Sequence, residues 1–277
     1  MATNVDDKVA RGFGDEWSRF DQSELSDEEK QRIFREYFAV FPMDRLNASA
    51  VGADFGVGSG RWAAFIAPQV RELYCVDASS EALEVAKRAL SRFQNCEFLR
   101  SSINDAPIPE SSLDFGYSLG VLHHIPDTKS AMKYCVSRLK PGAPLLVYLY
   151  YRFDNKPIWY RYVWKISEVF RHAISRMPHG IRYWLCQGIA LVVYWPAGAA
   201  ARVAERLQAD VSSFPLAYYR NKAFYVMRND ALDRFGTRLE QRFTRAEIQE
   251  MMEACGLSRI RFSEGAPFWC AVGFREG

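Results

Sequence analysis

The chain has 277 residues, about half of them apolar and 14% aromatic, a composition that suits a folded globular protein and excludes a disordered one. Its net charge of +3 is too small to argue for nucleic acid, and no nucleic-acid partner is expected. The six cysteines are scattered without Cys-x-x-Cys spacing and there are four histidines, so no metal site is expected.

The amino terminus is polar and acidic and lacks the basic-then-apolar signature of a secretion signal. With reduced thiols as the default, the expectation is a cytoplasmic protein. Residues 26–41 predict an N-capped amphipathic helix stopped by Pro42. A strand is expected at about 50–56, a helix at 60–67 and a second strand at 73–77. Ser79 or Ser80 caps a helix over 81–93, where Leu83, Ala86 and Leu90 have helical spacing. Strands follow at 96–101 and 113–119, then a helix at 127–139 ended by Lys140-Pro141-Gly142, then an apolar strand at 144–151. This alternation predicts an α/β fold with a doubly wound, mostly parallel, Rossmann-like sheet that binds ligands at the carboxyl ends of its strands.

After Tyr151 the alternation stops for about ninety residues. It resumes with a helix at 245–254, ended by Gly256, and two closing runs at 257–263 and 268–275. The expected organisation is an amino-terminal helical arm (1–45), a core (46–151), an inserted helical and aromatic cap (152–240) and the end of the core (241–277). Positive charge gathers in the insertion: between Tyr151 and Leu207 nine Lys/Arg face three acids, so that stretch is +6 and the rest −3. Tyr183–Ala201 contains no charged residue, and three readings stand: a buried cap helix, which the pattern favours, a membrane-surface contact, or a span. Gln187, Gly188, Pro196 and Gly198 count against a span, and Pro196 is expected to break the helix. The preceding stretch, from Pro157 to Lys165, mixes large aromatics with basic residues. That mixture suits an interfacial helix, a pocket for an anionic amphiphile, or a solvated basic face over packed aromatics. Peripheral membrane contact through 157–207 therefore stays open.

The most telling feature is Ala53-Asp54-Phe55-Gly56-Val57-Gly58-Ser59-Gly60, followed by an acid, Asp77, that closes the apolar run Leu73–Val76. A strand ending in glycines, then a helix, then a strand ending in an acid is the arrangement that binds an adenosine cofactor. The glycines let the ligand lie against the backbone, and the acid accepts hydrogen bonds from the ribose hydroxyls. Dinucleotide sites favour Gly-x-Gly-x-x-Gly, whereas the spacing here is Gly56-x-Gly58-x-Gly60 with Asp54 just before it. An acid beside the loop is awkward for a pyrophosphate and suits a cationic ligand.

This stretch resembles motif I of the class I S-adenosylmethionine-dependent methyltransferases. Leu113-Asp114-Phe115-Gly116-Tyr117-Ser118-Leu119-Gly120-Val121-Leu122-His123-His124-Ile125-Pro126-Asp127 is similar to the fourth-strand block of the group that includes the ubiquinone and menaquinone biosynthesis enzymes. Lys140-Pro141-Gly142 resembles the turn before that family's fifth strand, so the match runs over about residues 50–150. The resemblance implies a seven-stranded sheet with an antiparallel last strand and S-adenosylmethionine as the cofactor. It implies that Asp54, Gly56 and Gly58 line the methionine half, that Asp77 binds the ribose, that Leu119 and Gly120 pass beneath the sulfonium, and that Val57, Gly60 and Ala78 are further cofactor-binding positions. One departure is Ser102, which with Ile103 stands where the family usually carries an adenine-contacting aspartate; Asp105 is the substitute if the loop shifts.

The segment Phe13–Phe20 precedes the core, and Trp17 and Phe13 are candidates to exclude water from the site, or only to pin the arm to the surface. His123 and His124 lie just past the fourth strand. Either is a candidate general base, His124 preferred, and a structural or cofactor-lining role is the alternative. Arg234, Tyr150 and Tyr219 are candidates for the acceptor, with a loop salt bridge as the other reading of Arg234. The expected activity is methyl transfer to a small or lipid-like, anionic or amphiphilic acceptor, with O- or N-methylation favoured. The rivals are a nicotinamide oxidoreductase, which the glycine spacing opposes, and a non-catalytic cofactor-binding or membrane-associated subunit.

Overall fold

A computed structural model describes residues 4–211 and 213–277. In chain order come α1 (Asp7–Arg19), α2 (Asp27–Tyr37), β1 (Val51–Phe55), a short α3 (Ala63–Ile66), β2 (Glu72–Asp77), α4 (Ser80–Ala89), β3 (Cys96–Arg100), β4 (Phe115–Leu119), α5 (Thr128–Arg138) and β5 (Pro144–Tyr148). Then follow α6 (Ile158–Ile174), α7 (His179–Ile189), α8 (Trp195–Arg206), α9 (Phe224–Gly236), α10 (Arg245–Ala254), β6 (Leu257–Phe262) and β7 (Cys270–Arg275). The chain divides into two units: Met1–Gln22 with Lys30–Tyr151 and Leu239–Gly277, and Ser23–Glu29 with Arg152–Arg238.

The first unit holds one seven-stranded sheet in the order β3-β2-β1-β4-β5-β7-β6. β1 pairs in parallel with β2 and β4, β2 with β3, and β4 with β5, while β7 runs antiparallel to both β5 and β6. The expected fold class is what forms. Order reverses on either side of β1, so the carboxyl ends of β1 and β4 flank a crevice, the usual place for a ligand in such sheets. β1 and β4 are buried along their whole length, because helices cover both faces of a parallel sheet. The helices are ended by local chemistry. Ser79 accepts from the Ala82 amide at 3.3 Å to open α4, and Asp127 accepts from the Ser130 amide at 2.9 Å to open α5. Thr244 and Glu247 form a reciprocal capping box on α10. The helix expected over 60–67 is shorter than its pattern, spanning only Ala63–Ile66 before a 3₁₀ turn, because Pro68 cannot donate to a continuing α-helix.

The second unit is helical. α9 is its buried centre, with Tyr225, Met227, Ala231 and Leu232 nearly inaccessible. Inside it Arg171 donates to the Thr237 carbonyl at 3.0 Å and to Glu168 at 3.0 Å. α7 and α8 run together as one helical stretch, His179–Arg206, joined by a π-helical turn at Ala190–Tyr194. The expected break at Pro196 does not occur. The π turn just before it widens the helix where the proline ring would meet the carbonyl four residues back. The favoured reading of this stretch as a buried helix is also corrected. Its inward side is made of Cys186, Ala190, Tyr194, Gly198 and Ala201, while its large apolar residues are exposed.

Gly52 in β1 is the tightest point of the sheet. A Cβ there would fall 2.1 Å from the Phe115 ring, which is itself fully buried against Phe41 and Tyr117 and has nowhere to go. Gly52→Ala is therefore expected to destabilise the protein by about 1–3 kcal/mol, the usual cost of overpacking a filled core. A denaturant midpoint equal to wild type would show that the ring yields.

Candidate active site

The turn leaving β1 is shaped by three glycines with positive φ, Gly56 at +97°, Gly58 at +53° and Gly60 at +78°. A side chain at any of them is strained, and each also lacks room. A Cβ on Gly56 would come within 2.4 Å of Val121, on Gly58 within 2.9 Å of the Trp17 ring, and on Gly60 within 3.2 Å of Leu90. The Gly56 and Val57 amides both donate to the Val76 carbonyl, at 2.8 and 2.9 Å, which curls the loop over the end of β2.

That places the loop against the acid ending β2. The Gly58 amide donates to Asp77 Oδ2 at 3.0 Å and the Ser79 amide to Oδ1 at 2.9 Å. Burial raises the Asp77 carboxyl above its ordinary value, and the Ser79, Gly58 and Ala78 amides oppose the rise. Asp54, at the end of β1, is fully buried, and neither of its oxygens completes a hydrogen bond. Register sets it beside Tyr117 of β4, on the same face of the sheet. Burial holds the Asp54 carboxyl well above the usual carboxylate range. The Tyr117 hydroxyl and the Arg61 guanidinium pull it down and Asp77 pushes it up, but desolvation outweighs them. A buried acid without a partner beneath a glycine cradle is a site made for a cationic group.

The amino-terminal helix covers this loop. Gly14 lets α1 approach the start of α4, since a Cβ there would fall 2.4 Å from Ser79 Oγ. Trp17 consequently lies on Gly58, and Phe13 packs on His124 with ring centroids 4.8 Å apart. Arg61 stacks over Trp62 at 4.3 Å and near Trp17 at 5.5 Å, a cation set among aromatic faces. Past β3, Ser102 donates to Asp105 at 2.5 Å, next to the buried Ile103, so an acid stands beside position 102. Leu119 ends β4, and Gly120, with φ +81°, faces open space where no atom lies within 4 Å of a would-be Cβ.

Past β4 the chain turns through Leu122–His124, and both histidines are buried. His124 Nδ1 lies 2.7 Å from the Leu239 carbonyl. A carbonyl only accepts, so Nδ1 carries a proton, and in the neutral ring Nε2 is left as the acceptor. His123 stacks on Tyr150, centroids 3.9 Å apart, and neither of its ring nitrogens has a hydrogen-bond partner. Burial, with His124 and Arg242 adding repulsion, pushes it well below the ordinary histidine value. The two histidines therefore differ. His123 is a neutral ring in a stack, and His124 is oriented as an acceptor. Tyr150 also meets Arg242, whose guanidinium lies 5.1 Å from its ring and pairs with Glu240 at 2.7 Å. Tyr148, at the end of β5, packs edge-on to Tyr37.

The structure thus assembles Asp54, Gly56, Val57, Gly58, Gly60, Asp77, Ala78 and Trp17 around one loop, and groups His123, His124 and Tyr150 in the same unit. Arg234 and Tyr219 belong to the helical unit and are engaged there. Arg234 pairs with Glu168, and the Tyr219 hydroxyl donates to Asp230 at 2.8 Å. For Arg234 the ion pair is the salt-bridge reading, though with Glu168 of α6 and not within its own loop, and each of the two side chains is held by a neighbour within its own unit. Sequence reasoning missed Arg61, Tyr37 and the Glu240–Arg242 pair. Arg61 directly follows the third glycine and was findable, but nothing local marks the others.

Residues 53–147 match the family model described as Methyltransferase domain. An uncharacterized methyltransferase of Mycobacterium tuberculosis is 33% identical over 96 residues, covering 34% of this chain and 47% of that protein. Phosphoethanolamine N-methyltransferase 2 of Caenorhabditis elegans is 31% identical over 101 residues, 35% of this chain and 23% of that one. The chain spans about half the length of the first curated relatives it matches, or less. Among solved structures, a Thermotoga maritima SAM-dependent methyltransferase, possible histamine N-methyltransferase, superposes with TM-score 0.53 at 13% identity, covering 96% of this chain and 100% of that one. A chain from the complex of the Haloferax volcanii Trm112 methyltransferase activator gives 0.56 at 15%, covering 97% and 98%. At such identities the likeness is one of fold.

His123 makes stability depend on pH. Its folded value lies below its ordinary 6.5, so between the two the unfolded chain binds more protons. Its contribution is complete above the ordinary value and is lost as pH falls from there through the folded one. Asp54, raised in the fold, acts in the opposite sense, so a variant comparison isolates the histidine. The urea midpoint of wild type should fall more steeply from about pH 7.5 to about pH 5.5 than that of His123→Phe. Parallel slopes would mean that His123 charges as readily folded as unfolded.

Proposed function

From residues 53–147, which belong to the methyltransferase-domain family, we infer that the chain is an S-adenosylmethionine-dependent methyltransferase acting on a small anionic or amphiphilic acceptor. The observation that carries this is Asp54, a buried and unpartnered acid below a three-glycine cradle whose middle amide is bonded to Asp77. Those residues fit the cofactor: Asp54 answers its positive charge, Asp77 keeps lone pairs for two ribose hydroxyls, and Asp105 with Ser102 takes the adenine amino group. When bound, S-adenosylmethionine would supply an electrophilic methyl group.

The chain's own residues do the rest. Trp17 and Phe13 exclude water from the crevice, which removes the competing nucleophile and strengthens the electrostatics. The Gly120 turn leaves space at the end of β4. His124 Nε2 accepts the acceptor's proton, its orientation fixed by the Nδ1–Leu239 bond. His123 and Tyr150 form an aromatic wall, and Arg61 stands ready to hold an anionic group between aromatic faces. These basic and aromatic groups support an anionic or amphiphilic acceptor over a cationic one. A hydroxyl or amine acceptor fits the presence of an oriented base. The antiparallel β7 between β5 and β6 counts against the nicotinamide reading, since a plain dinucleotide sheet has no such insertion.

Titration calorimetry with S-adenosylmethionine, S-adenosylhomocysteine and NAD tests the reading. The first two should bind and NAD should not. Asp77→Ala should weaken binding roughly tenfold or more, the worth of charge-assisted hydrogen bonds. His124→Gln should keep cofactor affinity but lower turnover about 10²–10⁴-fold, followed as S-adenosylhomocysteine release with an acceptor found by screening. NAD binding alone would overturn the reading. Cofactor binding with no acceptor turned over would favour a non-catalytic cofactor-binding subunit.

A further inference from the structure

The helical unit wears its large apolar side chains on the outside. Along the stretch His179–Arg206, Ile181, Trp184 with Leu185, the exposed Gly188, Leu191 with Val192, and Trp195 follow one another about a turn apart and form one stripe, with Trp184 73% and Val192 68% exposed. The opposite side of the same stretch packs inward through small residues, Cys186, Ala190, Gly198 and Ala201. α6 repeats the inversion: Trp159, Tyr162, Ile166, Val169 and Phe170 are exposed, whereas Arg171 is buried. Two amphipathic elements of one unit thus turn their apolar sides outward. A soluble monomer rarely exposes apolar surface on that scale, and such surface marks an interaction site.

The charges choose the occupant. The region between Tyr151 and Leu207 is +6, and within it Glu168 pairs with Arg171 and Arg234, and Glu205 with Arg220. Arg161 and Lys165 are exposed on α6, as are Arg202 and Arg206 on α8. A second copy docked face to face would set this positive region against itself. An anionic bilayer surface meets both features at once, with acyl chains for the stripe, headgroups for the cations, and tryptophans and tyrosines at the boundary between them. The inward side decides between lying on the bilayer and crossing it. There Arg228 donates to Gln187 Oε1 at 2.6 Å and to the Tyr183 hydroxyl at 3.2 Å. A span would carry this arginine and α9 into hydrocarbon. We propose that the outward faces of α6 and of the α7–α8 stretch dock the protein on the surface of an anionic phospholipid bilayer, in the plane of the headgroups.

The test is sedimentation of the full chain with sucrose-loaded vesicles, either phosphatidylcholine alone or with about a third phosphatidylglycerol, at low and high salt. The protein should pellet with the anionic vesicles, release as salt rises, and shift its tryptophan emission to the blue on binding. Trp184→Gln/Val192→Gln, on the exposed stripe, should fold as wild type by circular dichroism and lose about tenfold or more in partitioning. Wild type left in the supernatant with anionic vesicles at low salt would overturn the proposal. So would a concentration-dependent dimer in sedimentation velocity that the double variant abolishes. Resistance of bound protein to high salt and to carbonate extraction would mean that the stretch spans.

Discussion

The hydrogen bond from the Gly58 amide to Asp77 is the constraint on which the site depends. It exists because β1 and β2 are parallel neighbours in register, Asp54 opposite Cys75 and Phe55 opposite Val76, so both strands end at one level. The loop after β1 must then bend back over β2, and only glycine tolerates φ near +97° and +53° with Val121 and Trp17 so close. Once the loop is pinned, Asp54 is sealed beneath it, Asp77 is oriented by two amides, and Trp17 has a flat backbone to rest on. A substitution at Gly58 would disturb all three.

Much of this was legible because the signals are local. The spacing Gly56-x-Gly58-x-Gly60 and the acid at Asp77 name the loop, the cofactor class and the parallel pair. The alternation of strands and helices gives the sheet, and the terminal runs give its antiparallel member. What stayed hidden is whatever depends on residues distant in the chain. Arg242 reaches Tyr150 only because Phe243 bridges back beside Tyr151, and no pattern around Arg242 signals it. His124 is told apart from His123 by the Leu239 carbonyl, 115 residues away.

The helical unit misled for a different reason. An apolar stretch without charge reads as buried because soluble proteins bury such stretches, and Tyr183–Ala201 passes that test. Hydropathy says nothing about which side of a helix faces inward. Here small residues and Tyr194 pack while most of the large ones do not, so the moment that marks an ordinary surface helix points the other way. Arg234 shows the same limit: a salt bridge could be read from its loop, but its partner Glu168, sixty-six residues earlier, could not.

The fit of α1 turns on one missing methyl group, because any Cβ at Gly14 would collide with Ser79 Oγ. The helix can lie this low only as long as that position stays bare, and its Trp17 then closes the glycine cradle from above. A side chain at position 14 would therefore uncover Gly58 without touching it, because raising residues 7–19 off Ser79 takes Trp17 with them.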